Sequence, residues 1–385
     1  MKTLQIYLIR QILATLAMTV MVFTFVLLIG NVLQEILKLL VNGQASLGVV
    51  FQAIALLIPW VLVFALPMGM LTATLLVFGR FSADQELTAA RAGGVSLITL
   101  VTPILLLSIL LCILSAWINL EVAPMCRIAY KNLLYRSLMQ KPTSLLRENQ
   151  YVNDLPGGLT VFVKKINGTN LTDVLIVQSD LKENRQTWER AEKGYIVMGN
   201  TVELVLINAL GGSRQGDNLI PNSLSEVSFP LGNISSSGAE TRVSDMSFRQ
   251  LMDQLKKIED KSRFAFRAGG ADSEELKAQV KELARFEKEM ALPIRVQLHR
   301  QISFSFACFG FTLIGIPLAI QTQRRETSIG MAISLVLVLV YYSFIILGQS
   351  LETRADFQPH LIVWLPNFIF QGVGGFLLFR ANKRG

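Results

Sequence analysis

Charged residues are almost absent from two long blocks of this chain and abundant between them. From residue 11 to residue 79 only Glu35 and Lys38 are charged. Four later segments contain no Asp, Glu, Lys or Arg: 97–120, 301–323, 329–351 and 357–379. An α-helix needs about 20 apolar residues to cross a hydrocarbon core about 30 Å thick. The sequence therefore predicts an integral membrane protein with a large polar insert at roughly 121–300.

The apolar segments predict six transmembrane helices, three before the insert and three after it. Of the 385 residues, 51% are hydrophobic, and the mean hydropathy of +0.46 is above that of soluble proteins. The first block is too long for one crossing and breaks near Asn42 and Gly43. The predicted spans are about 12–40, 49–78, 97–120, 302–321, 330–351 and 360–379. The first apolar run is too long for a signal peptide, so we interpret it as a retained helix.

Basic residues predict the orientation of the helices. With six helices both termini share one side, and short segments on that side contain nine Lys or Arg: Lys2, Arg10, Arg80, Arg91, Arg324, Arg325, Arg380, Lys383 and Arg384. The opposite short segments contain only Lys38 and Arg354. Because Lys and Arg in short loops stay cytoplasmic, we expect both termini in the cytoplasm and the insert outside. The net charge of +8 is mostly this topology signal, and no basic stripe indicates nucleic acid.

The insert has the pattern of an all-β domain followed by helices. Short β-branched runs at 159–166, 173–178, 194–197, 202–207 and 226–231 alternate with Gly, Pro and Asn turns, as in a sandwich or barrel. The stretch 127–146 could extend the third helix outward. Ser247 and Gln250 fit a capping box at the start of one helix. Ser273 starts another, which Pro293 is expected to end or kink.

Motifs for catalysis are not found. The sequence contains neither Gly-x4-Gly-Lys-Ser/Thr nor His-Glu-x-x-His, and its two histidines, His299 and His360, stand apart. Cys112, Cys126 and Cys308 imply no disulfide framework. We therefore predict no catalytic residues, no metal site and no cofactor. A membrane enzyme acting on lipids would need a clustered nucleophile or metal site.

The loop between the second and third helices is the main candidate for a functional site. Ser82 and Gln85 can cap a short helix, Asp84 and Glu86 lie in its first turn, and Gly93-Gly94 ends it. Such a cytoplasmic helix along the membrane suits a socket on a partner protein. The alternative interpretation is a solvated connecting turn, and residue chemistry alone leaves both open.

A family resemblance favours the first interpretation. The stretch Asp84-Gln-Glu-Leu-Thr-Ala-Ala-Arg-Ala-Gly-Gly-Val-Ser96 resembles the coupling-helix signature of the LptF/LptG permeases, the membrane subunits of the lipopolysaccharide-exporting ABC transporter. His299-Arg300 followed by Gly315-Ile316-Pro317-Leu318 resembles the fourth helix of that family. The resemblance covers essentially the whole chain. It implies an α-helical membrane protein of six transmembrane helices, arranged 3+3, with an inserted all-β periplasmic domain of β-jellyroll type.

The resemblance also implies a function and its partners. The chain would be a non-catalytic permease subunit in the bacterial inner membrane, paired with a paralogue or with itself. A separate cytoplasmic ATPase dimer would hydrolyse ATP, and periplasmic jellyroll bridge proteins would receive the lipopolysaccharide. Asp84, Glu86, Arg91 and Gly93 would couple the permease to the ATPase, with Glu86 at the position of the family's acidic residue.

Glu35 and Lys38 are the candidate substrate-binding residues. They lie three residues apart, so they share one face near the outer end of the first helix. Lys38 could contact anionic phosphates of a lipid headgroup, and the resemblance supports basic residues at this end of the first helix. The alternative is snorkelling, or a local Glu35–Lys38 pair at the interface.

Four regions are predicted along the chain. Residues 1–120 form transmembrane helices 1–3 with the coupling helix at about 82–94, 121–245 the periplasmic β-jellyroll domain, 246–300 a helical linker, and 301–385 transmembrane helices 4–6. A rival hypothesis is a scaffold or binding protein of the cell envelope that recruits partners without moving lipid.

Overall fold

The computed structural model describes residues 2–41, 47–140, 146–155, 159–180, 185–198, 201–215, 218–233, 243–268, 274–322 and 327–383. It describes the side chains of fewer residues, and those of 31–47, 135–145 and 261–289 are among the ones left out. The chain divides into two compact units. The first contains Met1–Leu33, Ile54–Ile128 and Thr241–Gly385, and the second contains Gln34–Ala53 and Ala129–Glu240.

Helices make up the first unit, and parts of three of them, within Gln34–Ala53 and from Ala129 onward, belong to the second. In chain order they are α1 (Lys2–Val41), α2 (Leu47–Ala83), α3 (Glu86–Ala92), α4 (Leu97–Trp117), α5 (Ala123–Gln140), α6 (Phe248–Ala268), α7 (Glu274–Ser305), α8 (Ala307–Thr322), α9 (Thr327–Ser350), α10 (Pro359–Ile362) and α11 (Leu365–Lys383). In the described part of the chain, five helices are long and apolar enough to span a membrane, and α7 with α8 makes a sixth if that bent pair is one span. The predicted helical membrane protein is therefore confirmed.

The fourth predicted span is broken, and Asn367 gives the reason. Residues Met290–Ser305 and Ala307–Gln321 are bent by 43° at Phe306. The Asn367 side-chain amide donates to the carbonyl of Ser303 at 2.6 Å and to its hydroxyl at 2.9 Å. A side chain that takes a helical carbonyl interrupts the hydrogen-bond ladder and produces a bend. The helix runs on through Pro293, so of the two predicted effects the end of the helix is excluded, and a kink at Pro293 stays a prediction.

Small residues let the spanning helices approach closely. A Cβ at Gly315 in α8 would lie 2.5 Å from Thr74 Oγ1 in α2. A Cβ at Gly374 in α11 would lie 2.6 Å from the backbone carbon of Leu313 in α8. Close backbone contact through small residues is how membrane helices associate, because lipid gives them little hydrophobic reason to pack. The Gly315-Ile316-Pro317-Leu318 motif therefore has a structural role at the α2–α8 contact.

A five-residue π-helical turn, Ile118–Val122, joins α4 to α5. The helix continues beyond it to Gln140, so the third helix is extended as predicted, and the outward direction of this extension stays a prediction. At the return of the chain, a 3₁₀ turn, Val243–Asp245, precedes α6. The predicted capping box is also confirmed, since Ser247 N–H donates to Gln250 Oε1 at 2.9 Å and Gln250 N–H to Ser247 Oγ at 3.4 Å.

The second unit contains a six-stranded antiparallel sheet in sequential order. Its strands are β1 (Gln150–Leu155), β2 (Leu159–Asn167), β3 (Asn170–Asp180), β4 (Arg185–Met198), β5 (Thr201–Gln215) and β6 (Asn218–Asn233). All five predicted strands fall within β2 to β6, so the inserted all-β domain is confirmed. The first strand was missed because Asn and Asp in its sequence disfavour β structure. Its jellyroll character stays a prediction.

One face of the sheet is apolar and buried. Alternation is clearest in β2, where Leu159, Val161 and Val163 are buried and the residues between them are not. The other members of this core share its face: Val174 and Ile176 in β3, Ala191 and Ile196 in β4, Leu204 and Leu206 in β5, Phe229 and Leu231 in β6. Such alternation is what one buried and one solvated face require.

Candidate functional site

The candidate coupling helix is α3, which is shorter than predicted. It begins at Glu86, and the residue that precedes it, Gln85, has φ 62° and ψ 7°, in the left-handed region. Ser82 still belongs to α2, and its hydroxyl donates to the carbonyl of Ile320 in α8 at 3.2 Å. The predicted cap by Ser82 was therefore wrong, because tertiary contact with α8 uses its hydroxyl.

The end of α3 is a Schellman motif at the predicted glycines. The backbone N–H of Val95 donates to the carbonyl of Ala90 at 3.2 Å, and that of Gly94 donates to Arg91 O at 2.9 Å. Gly94 has φ +81°, a conformation that favours glycine. The motif fixes the direction in which the chain leaves α3 and enters α4.

The faces of α3 differ in what they contact. Leu87 is buried in the core of the helical unit, whereas Asp84 and Glu86 are exposed. Arg91 points back to the protein, where its Nη2 donates to the carbonyls of Ala381 at 3.1 Å and Asn382 at 3.3 Å. The helix is thus anchored through Leu87 and Arg91 and presents an acidic N-terminal end to solvent.

The candidate substrate residues Glu35 and Lys38 belong to α1, but their side chains lie outside the described residues. Their proposed contact with lipid stays a prediction.

A cavity of about 230 Å³ lies within the helical unit and was not anticipated from the sequence. Residues from α2, α5, α7 and α9 and from the two irregular turns line it: Trp60, Val63, Phe64, Asn119, Ala123, Pro124, Arg127, Ser244, Gln297, Arg300, Gln301, Phe304, Tyr342, Ile345, Ile346 and Gln349. The two charged residues in this set are both arginines. One wall of the cavity is aromatic. The ring centroid of Phe64 lies 5.5 Å from that of Phe304 and 5.9 Å from that of Tyr342.

Arg127 is held in place on two sides. Its Nε lies 3.0 Å from Oδ1 of the fully buried Asp245 side chain, and its guanidinium stands 5.0 Å over the Trp60 ring. A second ion pair between the same parts of the chain joins Arg249 Nε to Glu121 Oε1 at 3.0 Å. These contacts fasten the π-helical turn and α5 to the 3₁₀ turn Val243–Asp245 and to the first turn of α6.

Arg300 has a different environment. Its Nε is buried with no hydrogen-bond partner among the described residues, and no ion pair to it is found there. The Tyr342 hydroxyl and Gln301 Oε1 are also buried without a hydrogen-bond partner among the described residues. The Gln301 amide nitrogen donates to Met246 O at 3.0 Å, which fixes the orientation of that side chain. The three residues that carry these buried atoms line the same cavity with other parts of their side chains.

The two histidines, far apart in sequence, meet in the fold. The ring centroids of His299 and His360 are 5.3 Å apart, and Trp364 Nε1 donates to His299 Nδ1 at 3.1 Å. Among the residues with described side chains, no three His, Cys, Asp or Glu come together as a metal site would require.

Among the described side chains of the sheet, the inner face carries one acidic residue. Glu189 in β4 is only 6% exposed, and its Oε2 is buried without a hydrogen-bond partner in the described structure. Burial raises the pKa of this carboxyl. On the outside of the sheet, by contrast, the hydrogen bond from Arg190 lowers the pKa of Asp173.

Apolar spanning helices interrupted by a β-sheet unit make this a multi-pass membrane protein with an inserted β domain. Its sequence matches the profile of the family described as "Lipopolysaccharide export system permease LptF/LptG" over residues 6–380. The chain belongs to this family, as the resemblance in the coupling loop predicted.

Individual relatives are distant. The lipopolysaccharide export system permease protein LptF of Escherichia coli strain K12 is 20% identical over 353 residues, which are 90% of this chain and 87% of the relative. The protein of the same name from Shigella flexneri has the same identity and coverage. The uncharacterized protein RP871 of Rickettsia prowazekii strain Madrid E is 25% identical over 153 residues, 39% of this chain and 42% of that protein.

Proposed function

We propose that this chain is a force-transmitting permease subunit of a lipopolysaccharide exporter in the bacterial inner membrane. Family membership supports the export function, and the geometry of α3 is the observation that carries the mechanism. A seven-residue helix anchored by Leu87 and Arg91, with Glu86 exposed at its start, can dock into a groove on another protein.

The partner at α3 is a separate ATPase dimer in the cytoplasm. Acidic side chains at a helix N-terminus are favourable electrostatically and leave a negative surface for a basic groove. Asp84 and Glu86 supply this surface, Arg91 connects it to α11, and Gly93 with Gly94 sets its angle to α4. ATP hydrolysis in that dimer displaces α3, and the permease itself performs no chemistry.

The lipid leaves through the β domain. A second permease, either a paralogue or another copy, pairs with this chain, and the membrane helices of the two proteins enclose a separate cavity for the lipid. Lys38 with Glu35 contacts the lipid headgroup there. The buried apolar face of the sheet suits acyl chains, since each CH₂ exposed to water costs about 0.8 kcal/mol. Periplasmic jellyroll proteins then receive the lipid.

Charge reversal at Glu86 tests this proposal. Glu86→Arg should abolish co-purification of the ATPase and release of lipopolysaccharide, because a like charge against a basic groove costs several kcal/mol. The matched control is Asp356→Arg, a charge reversal at an exposed residue in the loop after α9, which should leave both unchanged. Unchanged ATPase recovery with Glu86→Arg would remove the coupling proposal and favour a scaffold that moves no lipid.

A further inference from the structure

Protonation of His299 is incompatible with the hydrogen bond that this side chain makes in the fold. Trp364, in the turn between α10 and α11, donates from its indole Nε1 to His299 Nδ1 at 3.1 Å. An indole N–H can only donate, and a protonated imidazole has two N–H donors and no acceptor. A proton on Nδ1 would therefore break this bond and set two donors against each other.

His360 of α10 stands beside this hydrogen bond. Its ring centroid lies 5.3 Å from that of His299. Nδ1 of His360 is buried, and no described residue accepts a hydrogen bond from it. Two positive rings at this separation would repel each other, and the repulsion is stronger where water is partly excluded. Charging both rings therefore pushes them apart.

On the α7 side, the charge that acts on His299 is positive. It belongs to Arg295, one turn earlier on the same helix, which pairs with Glu259 of α6 at 3.3 Å. Adjacent residues of an α-helix point about 100° apart, and Arg300 lines the cavity of the helical unit, which His299 does not. Among the described residues, no ion pair includes either histidine.

The helices α8, α9 and α11 bring no carboxylate to the two rings. No Asp or Glu occurs in any of these three helices, and the Tyr341 hydroxyl of α9 donates to Asn367. The loop that enters α10 carries its charges on exposed side chains: Glu352, Arg354 and Asp356. Nothing in these helices therefore replaces the hydrogen bond once His299 is charged.

The hydrogen bond lies beside the bend of the fourth span. The ring centroid of Trp364 is 5.9 Å from that of Phe306, the residue at the bend. One turn beyond His299, the Ser303 hydroxyl donates to the carbonyl of Val363 at 2.6 Å, so two neighbouring bonds join α7 to the turn between α10 and α11. Loss of the Trp364 bond therefore weakens this junction next to the bend.

We propose that His299, His360 and Trp364 form a pH-sensitive switch that ties α7 to the turn between α10 and α11. The neutral His299 ring holds Trp364, and the protonated ring releases it. Because the bond exists only with the neutral ring, its contribution to stability is present at high pH and is lost as the pH falls. In the predicted orientation this end of the helices faces the periplasm, so the acidity of that compartment would set the switch. The switch requires neither an ATPase nor a lipid, so its test and the Glu86→Arg test of export can fail independently.

Amide hydrogen exchange of the detergent-solubilised full chain tests the switch. Protection factors, corrected for the effect of pH on intrinsic exchange, are measured by mass spectrometry at about pH 8 and about pH 5, on either side of the ordinary pKa of histidine. Protection of residues 299–303 and 361–367 should be about fivefold lower at the acidic pH, as expected for the loss of one hydrogen bond. Equal protection at both pH values would overturn the proposal. An equal fall in α4 would also overturn it, because it would show a general loss of stability.

Two variants separate the hydrogen bond from other effects of acid. His299→Asn places an amide oxygen near the position of Nδ1, so it can accept from Trp364 at both pH values, and protection should no longer fall in acid. Trp364→Phe removes the donor, and protection should be low at both pH values. A pH difference of wild-type size in either folded variant would overturn the switch.

A third variant tests the second ring. His360→Gln removes the neighbouring positive charge, so the midpoint of the protection change should move to higher pH. The control is Trp117→Phe, at a tryptophan that is 61% exposed at the end of α4, and it should keep the wild-type profile. An unmoved midpoint in His360→Gln would remove His360 from the proposed switch.

Discussion

Arg91 of α3 donates a hydrogen bond from Nη2 to the carbonyl oxygen of Ala381, 3.1 Å away, near the end of α11. The last four carbonyls of an α-helix have no partner within the helix and form the negative end of its dipole. The guanidinium therefore caps α11 while it belongs to α3. If α3 moves while this hydrogen bond holds, the movement is transmitted directly to α11, the last spanning helix.

Removal of this cap should loosen α3. In Arg91→Ala, amide hydrogens of residues 87–92 should exchange about fivefold faster, because the lost hydrogen bonds contribute about 1 kcal/mol at a half-exposed site. Hydrogen-exchange mass spectrometry of the purified chain measures this. Arg80→Ala, at an exposed arginine in the last turn of α2, is the matched control. Equal exchange in Arg91→Ala and wild type would show that Leu87 alone anchors the helix.

The topology of the chain gives a second prediction. A cysteine at Glu192, exposed on β4, should react with a membrane-impermeant maleimide in cells whose outer membrane is permeabilised. A cysteine at Thr88, exposed on α3, should react only after the inner membrane is lysed. The reverse pattern of labelling would invert the orientation deduced from the basic residues and end the proposed export route.

The ion pair between Arg127 and Asp245 gives a third prediction. Asp245→Asn leaves the Arg127 cation without its carboxylate, which should cost about 3 kcal/mol and lower the Tm of the solubilised chain by several degrees. The control is Arg249→Gln, which breaks the pair with Glu121. Because the Arg249 side chain is 82% exposed, its loss should cost less than about 1 kcal/mol. Similar losses in both variants would mean that burial adds nothing to the first pair.

The fourth prediction concerns pH and Glu189. Its folded-state pKa is raised by burial, so the folded state holds the proton more strongly than the unfolded state. The sheet therefore loses stability as pH rises from the ordinary pKa of Glu, about 4.3, through the raised value. Glu189→Gln should abolish this loss and slow amide exchange in β3 to β5 at pH 7.

The control for that prediction is Glu192→Gln, on an exposed residue of the same strand. It should leave the pH dependence of exchange as in the wild type. An unchanged pH dependence in Glu189→Gln would show that this carboxyl reaches water in solution.

Features set by local sequence were predictable. Charge-free runs gave the spans, the Ser247 and Gln250 side chains gave the start of α6, and β-branched runs gave β2 to β6. Features that depend on distant residues were not. The bend at Phe306 needs Asn367, the absence of a cap by Ser82 follows from its hydrogen bond to Ile320 of α8, and the cavity at Arg300 needs α2, α5 and α9 to meet α7.

The candidate site divides in the same way. Glu86 in the first turn of α3 and the glycine end were readable from the sequence, since both are short-range helix signals. The predicted first-turn position of Asp84 was wrong, because α3 begins two residues later, at Glu86. The role of Arg91 on α11 was not readable, because its acceptors are backbone carbonyls and leave no trace in residue type.

The π-helical turn at Ile118–Val122 also sets the phase of everything that follows it on α5. One residue corresponds to about 100° of rotation around an α-helix. A π-helical turn takes about 4.4 residues, so its five residues advance the helix by nearly the same angle as four residues of an α-helix. Deleting one residue between Ile118 and Val122 would therefore restore regular winding and leave Arg127 on the face that meets Asp245 and Trp60. Deleting one residue between Ala123 and Arg127, in α5 itself, would instead turn Arg127 by about 100° and break both contacts.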